Sequence, residues 1–172
     1  VPGIMRMKET LDCSLAISLH APTDSVRNVL VPVNRKYPIK DLLAAASEYI
    51  ESRQSLRKLI IEYTLIDGVN DSPQDAAQLA DLLRSIKCKI NLIPFNTFDG
   101  SDYKAPKDQY VKAFQRRLIS AGHRVMIRST RGSDIMAACG QLAELSQKDG
   151  SESNECESDE QGKVALTFRA SA

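Results

Sequence analysis

The chain has 172 residues, 42% of them hydrophobic and 26% charged, and a formal net charge of +1. That length supports one sizeable core, and the absence of any run of about 18 apolar residues excludes a helical membrane span. The near-neutral total hides a split: residues 1–143 carry 20 Lys and Arg against 15 Asp and Glu, and residues 144–172 carry 3 against 7.

In chain order, apolar positions at helical spacing predict a helix over 4–11. Residues 13–19 (Cys-Ser-Leu-Ala-Ile-Ser-Leu) form a short apolar run that reads as a buried strand, halted at Pro22. Thr23 and Asp24 are predicted to cap a helix reaching Leu30. A second helix from about Ile39 places Leu42, Leu43, Ala46, Tyr49 and Ile50 on one face. Leu59–Ile66 is the clearest strand, rich in β-branched residues and closed by Asp67-Gly68. Ser72-Pro73 then opens a helix over 73–86. A strand over 88–95 follows, ending at Asn96, then a polar loop, a helix over 107–121 and a strand over 124–128. Strands alternating with crossovers of helical length mean a parallel sheet in an α/β fold.

From Ser146 the composition turns to Gln, Ser, Glu, Asp, Asn and Gly. Such a segment buries too little apolar surface to offset its ordering entropy. The expected organisation is a folded part over 1–145 and a disordered acidic tail over 146–172. The chain opens at Val1-Pro-Gly without a signal-like region and is read as a fragment.

The four cysteines (Cys13, Cys88, Cys139, Cys156) show no C-x-x-C pair and no zinc spacing. Free thiols in a reducing compartment are therefore expected. Cys139 lies on a short run bounded by Gly132 and Gly140, with Arg128 and Arg131 near in sequence. Neighbouring cations can lower a thiol pKa. The competing reading is a small buried hydrophobe.

Ligands of parallel α/β folds bind at the carboxyl ends of the strands. Ser18-Leu19-His20, Asp67-Gly68-Val69-Asn70, Asn96 and the loop leading to Cys139 all fall there. His20 and His123 are expected on opposite rims, which argues against a histidine metal site. Glu62, inside a strand, needs a partner. Arg35 and Lys36 form a basic loop that is either solvated surface or a phosphate contact.

Several ordered motifs resemble one family. They are Leu15-Ala-Ile-Ser-Leu-His-Ala-Pro22, Val31-Pro-Val-Asn-Arg-Lys-Tyr37, Ile61-Glu-Tyr63 with Gly68-Val-Asn-Asp71, Lys89-Ile-Asn-Leu-Ile-Pro-Phe-Asn96, and Thr130-Arg-Gly132 with Ala137-Ala-Cys-Gly-Gln-Leu142. Together they resemble the radical-SAM RNA adenine C2-methyltransferases over about residues 1–145. The resemblance implies the C-terminal portion of a partial TIM-type (β/α) barrel, using S-adenosylmethionine and a 4Fe-4S cluster. Ser18, Leu19, His20 and Asn96 would hold S-adenosylmethionine, and Cys139 would be the S-methylated intermediate. A 5′-deoxyadenosyl radical would then abstract hydrogen from that methyl group, and the carbon radical would add to C2 of adenine. A second cysteine would release the product by forming a disulfide with the first.

The implied substrates are 23S rRNA and tRNA, with a reducing system for the cluster, no membrane, a monomeric state and a cytoplasmic or organellar setting. The cluster motif C-x3-C-x2-C and the second catalytic cysteine are absent from this sequence. No metal ligands are therefore assigned to this chain, and by itself it is expected to be inactive. The alternative is a catalytically silent α/β module that binds RNA or protein. A thiol hydrolase built on Cys139 and His20 is poorer, since it lacks an orienting Asp/Asn motif and a Gly-rich oxyanion turn.

Overall fold

A computed structural model describes residues 1–10, 13–52, 58–98 and 100–128. All of them lie in one compact unit, Val1–Ser129. Cys139, Cys156, the expected boundary at 145 and the tail over 146–172 lie outside the described residues.

Among the described residues four strands form a single parallel sheet: β1 (Leu15–Ser18), β2 (Leu59–Leu65), β3 (Cys88–Pro94) and β4 (Arg124–Ile127), in sequential order. The helices that accompany them among the described residues are α1 (Pro2–Thr10), α2 (Asp24–Leu30), α3 (Ile39–Glu51), α4 (Pro73–Leu82) and α5 (Asp108–Ser120). A 3-10 turn over Pro32–Arg35 links α2 to α3. Crossovers of parallel strands share one hand, so strands added in sequential order keep their helices on the same face. That is the arrangement of a stretch of a (β/α) barrel, and the expected α/β class is what the chain adopts.

The two faces of the sheet differ accordingly. Leu15, Ile17, Leu59, Ile61, Tyr63, Leu65, Ile90 and Leu92 point into a core shared with Leu43, Ala46 and Tyr49 of α3, Ala76 and Leu79 of α4, and Val111, Phe114 and Leu118 of α5. Tyr63 and Phe114 meet at 5.5 Å between ring centroids. The alternate residues face the other way. Register aligns Ser18, Glu62, Asn91 and Met126 across the sheet, and Ala16, Ile60, Lys89 and Arg124 in the row before it. Ser18, Lys89 and Arg124 are exposed and Glu62 and Asn91 half-buried on this face, which the helices do not cover.

Several expected boundaries shift. The strand over 13–19 contracts to Leu15–Ser18, and the helix over 73–86 stops at Leu82. Leu83 is still buried, but Arg84 N and Ile86 N donate to carbonyls three residues back, so the apolar spacing outlasts the α-helix in tighter turns. Thr23 occupies the N-cap of α2 without a side-chain cap bond. Its hydroxyl lies 3.0 Å from that of Ser25. Among the described residues no helix is long and apolar enough to cross a membrane.

Candidate functional site

Chain direction alone brings the polar segments to one end of the sheet. Ser18, Leu19 and His20 leave β1, Ile66–Asn70 leaves β2 and Asn96 leaves β3, all at the carboxyl ends of parallel strands. His123 precedes β4 and so lies at the other end, where its Nε2 stands 3.0 Å from the Ala80 carbonyl.

The Ser18-Leu19-His20 segment is fixed from both sides. Leu19 N donates to the Glu62 carbonyl at 2.9 Å, extending the β1–β2 ladder by one rung. Beneath the segment Arg27 of α2, only 4% exposed, donates Nε to the Leu19 carbonyl at 2.9 Å and Nη2 to the Ser18 carbonyl at 3.0 Å. Its Nη1 reaches Oδ1 of the buried Asn34 at 2.7 Å. Asn34 Nδ2 in turn donates to Asp24 Oδ1 and Asn28 Oδ1, both at 2.8 Å. Asp24 Oδ1 also accepts from Ile39 N at 2.9 Å. The Ile39 N–H, then Asn34, hold the Asp24 carboxyl below the usual carboxylate range.

The His20 carbonyl accepts from Nδ2 of Asn70, a wholly buried side chain, at 2.7 Å. The same Nδ2 donates to the Thr64 carbonyl, and Asn70 Oδ1 accepts from Ile66 N, both at 2.7 Å. Tyr63 donates its hydroxyl to the Asn70 carbonyl at 2.8 Å. Thus one asparagine ties the end of β1 to the turn after β2. The carbonyls of Ser18, Leu19 and His20 each have a side-chain donor, so these three acceptors are paired within the fold.

His20 itself takes φ 58°, the left-handed region that residues other than Gly enter uncommonly, Asn, Asp and His more often than the rest. Its Nδ1 accepts from Thr64 N at 3.0 Å. That bond assigns the neutral tautomer with hydrogen on Nε2. Burial, aided by the charge of Arg27, lowers the imidazole pKa to about 4. At neutral pH His20 is therefore a fixed N–H donor rather than a cation or a proton carrier.

Leu19 has a fully buried side chain, and its N–H and C=O are both engaged within the fold, so its side chain anchors the segment in the core. Ser18 is exposed on the open face beside Glu62. Glu62 finds the partner it needs in Arg128, with Oε1 3.7 Å from Nη1. Asn96 is half-buried. Arg35 and Lys36 are exposed, with the Lys36 ammonium 5.5 Å from the Tyr37 ring centre. Sequence reading missed Arg27 altogether, because an arginine on a short amphipathic helix reads as surface. No local signal marks it, because its burial depends on Asn34, seven positions on, folding back to meet its guanidinium.

No protein-family model matches the sequence. The dual-specificity RNA methyltransferase RlmN of Marinomonas sp. is 53% identical over 142 residues, covering 83% of this chain and 38% of that protein. The protein of the same name from Marinobacter nauticus is 54% identical with the same coverage. A solved radical SAM methyltransferase from Sphaerobacter thermophilus superposes with a TM-score of 0.77 at 43% identity, over 81% of this chain and 41% of that one. Over its matched residues the chain belongs to this methyltransferase family. It spans 38% of the length of the curated relatives named here. The fold extends further: a domain of pyruvate-formate lyase-activating enzyme from Bacteroides vulgatus shares it with a TM-score of 0.58 at 19% identity.

For the methyltransferase family the parallel sheet now has a physical reading as one arc of a radical-SAM barrel. The cluster does not fit this arc. Among the described residues no three His, Cys, Asp or Glu side chains gather to hold a metal. Cys13 and Cys88 are free thiols at the entry ends of β1 and β3, away from the rim, and burial pushes the Cys88 thiol up to about 11. A thiol so disfavoured as a thiolate is a poor ligand. The donor set of the rim suits a polar ligand. The carboxyl ends of the strands present the Ser18 hydroxyl, a fixed N–H from His20 and the Asn96 amide.

Proposed function

We propose that this chain is the part of an S-adenosylmethionine-dependent RNA methyltransferase that forms one side of the cofactor site and carries the methyl-accepting cysteine. Its substrates are 23S rRNA and tRNA, methylated at C2 of adenine. The observation that carries the reading is the doubly anchored Ser18-Leu19-His20 segment, at the ligand end of a sheet whose sequence is 53% identical to an RNA methyltransferase.

In this reading S-adenosylmethionine supplies the methyl group and the radical initiator. His20 donates Nε2–H to an acceptor of that ligand. Ser18 and Asn96 offer polar contacts at the same rim. A neutral His20 matters because a sulfonium ligand is cationic, and an imidazolium beside it would repel it. Adenine C2 is not nucleophilic, so a sulfonium cannot methylate it directly. A thiolate is a far better acceptor, and Cys139 is the residue proposed to take the methyl group and carry it to the base. The iron-sulfur ligands come from outside these 172 residues.

The test is a chimera of the Marinomonas enzyme in which the matched segment is replaced by this chain's. Mass spectrometry of digested 23S rRNA and tRNA should show 2-methyladenosine with the chimera and none with its Cys139→Ser variant. A folded chimera that binds RNA but forms no 2-methyladenosine contradicts the reading and favours a silent RNA-binding module.

A further inference from the structure

Arg27 is the most deeply placed cation among the described residues, and nothing in the chemistry above uses it. A buried guanidinium is costly unless its donors are all matched, so its partners report what it is for. Two of its three bonds go to consecutive carbonyls, those of Ser18 and Leu19, at 3.0 and 2.9 Å. The third goes to Asn34, at 2.7 Å. No ion pair to Arg27 occurs among the described residues. Its charge is offset by the nearby Asp24 carboxylate, and the Asn34 amide bridges the two by hydrogen bonds.

This is the geometry of a clamp. A planar fork with fixed donor directions meets two carbonyls of an extended segment from the helical side, and the segment's other side faces the rim. The Asp24–Asn34 relay sets the plane of the fork, and Asp24 is itself tied to Ile39 N at the start of α3. The clamp also lies next to a residue in a left-handed conformation, His20 at φ 58°. Such a conformation persists only where the surroundings over-determine it.

We propose that Arg27 is a positioning residue for the cofactor: its guanidinium holds the Ser18 and Leu19 carbonyls from the buried side and so sets the direction of the Ser18 hydroxyl and the His20 Nε2–H toward a sulfonium-bearing nucleoside. This rests on the proposed cofactor rim and adds to it the residue that aims it. Lysine at the same place can reach one carbonyl but not both, and methionine can reach neither.

The experiment uses the Marinomonas chimera with its cluster loaded, and compares Arg27→Met, Arg27→Lys and Leu79→Ala. Leu79 is a buried core residue of α4 with no hydrogen bond to the segment from its side chain, and it serves as a measure of simple destabilisation. The expected result for Arg27→Met is a Kd for S-adenosylmethionine in equilibrium dialysis, and a KM for it, both raised about tenfold or more, with the KM for RNA unchanged. Arg27→Lys should fall between it and the parent. Leu79→Ala should lower Tm while leaving both KM values within about twofold of the parent.

The inference is overturned if Leu79→Ala raises the KM for S-adenosylmethionine as much as the Arg27 variants do. It is equally overturned if both Arg27 variants keep that KM within about twofold of the parent. Should Arg27→Met fail to fold, Arg27→Lys decides between these outcomes. A parent chimera that shows no binding of S-adenosylmethionine sinks the rim itself, a failure visible before any variant is made.

Discussion

His20 carries the acid sensitivity of the rim. Its imidazole titrates near 6.5 when unfolded and at about 4 when folded, so between those values the unfolded chain binds more protons. Stability is then complete above about pH 6.5 and falls by up to about 1.4 kcal/mol per pH unit as acid is added, until the folded state protonates near pH 4. Asparagine at position 20 tolerates the positive φ and keeps an acceptor for Thr64 N without a titrating group. Urea unfolding from pH 7 to pH 4 should therefore give a flatter profile for His20→Asn than for the parent. Asn70 is the second residue on which the rim depends. Asn70→Ala leaves Ile66 N and the His20 and Thr64 carbonyls without their partner, and about 3 kcal/mol or more of stability should be lost. Asn70→Asp should not rescue it, because it replaces a two-hydrogen donor with an acceptor. Residues such as these were unequally legible. His20 and Asn70 stood out in their motifs at strand ends, whereas the burial of Arg27 depends on Asn34 folding back seven residues later, which no local pattern encodes.

At the level of elements, termini follow from identifiable bonds. Ser72 accepts from Asp75 N, and the Asp75 carboxylate accepts from Ser72 N, a reciprocal cap that starts α4 where Ser72-Pro73 predicted a helix start. The end of α5 is closed by Gly122 N to the Ile119 carbonyl at 2.9 Å and His123 N to the Leu118 carbonyl at 3.1 Å. That pair of bonds is a Schellman closure with Gly122 at φ 92°. Space around Gly122 is open, so a substitution there meets backbone strain alone. Gly122→Ala should cost about 1 kcal/mol in chemical denaturation and leave the rim's chemistry unchanged. Strand positions were legible because both faces are patterned, apolar toward the helices and mixed toward the interior. The extents of β1 and α4 were not, since apolar spacing runs past the point where the ladder or the i→i−4 bonds stop.

For the molecule as a whole, parallel strands in sequential order place every strand exit at one end, and this alone gathers Ser18, His20, Asn70 and Asn96. The class of fold was legible from alternating strand and helix patterns. The anchoring of the rim was not, because it runs through long-range bonds such as Asn70 to His20, 50 residues apart in sequence. With no cluster motif among its four cysteines, the chain incubated with iron and sulfide should develop no 4Fe-4S absorbance, and a stable chromophore on the chain alone would contradict that expectation. The measurement that bears most directly on the account is the mass of the Cys139 peptide from protein isolated out of its own cells. A methyl group on that sulfur is the predicted result. An unmodified thiol throughout, in cells whose 23S rRNA carries 2-methyladenosine that persists when Cys139 is replaced by Ala, would contradict it.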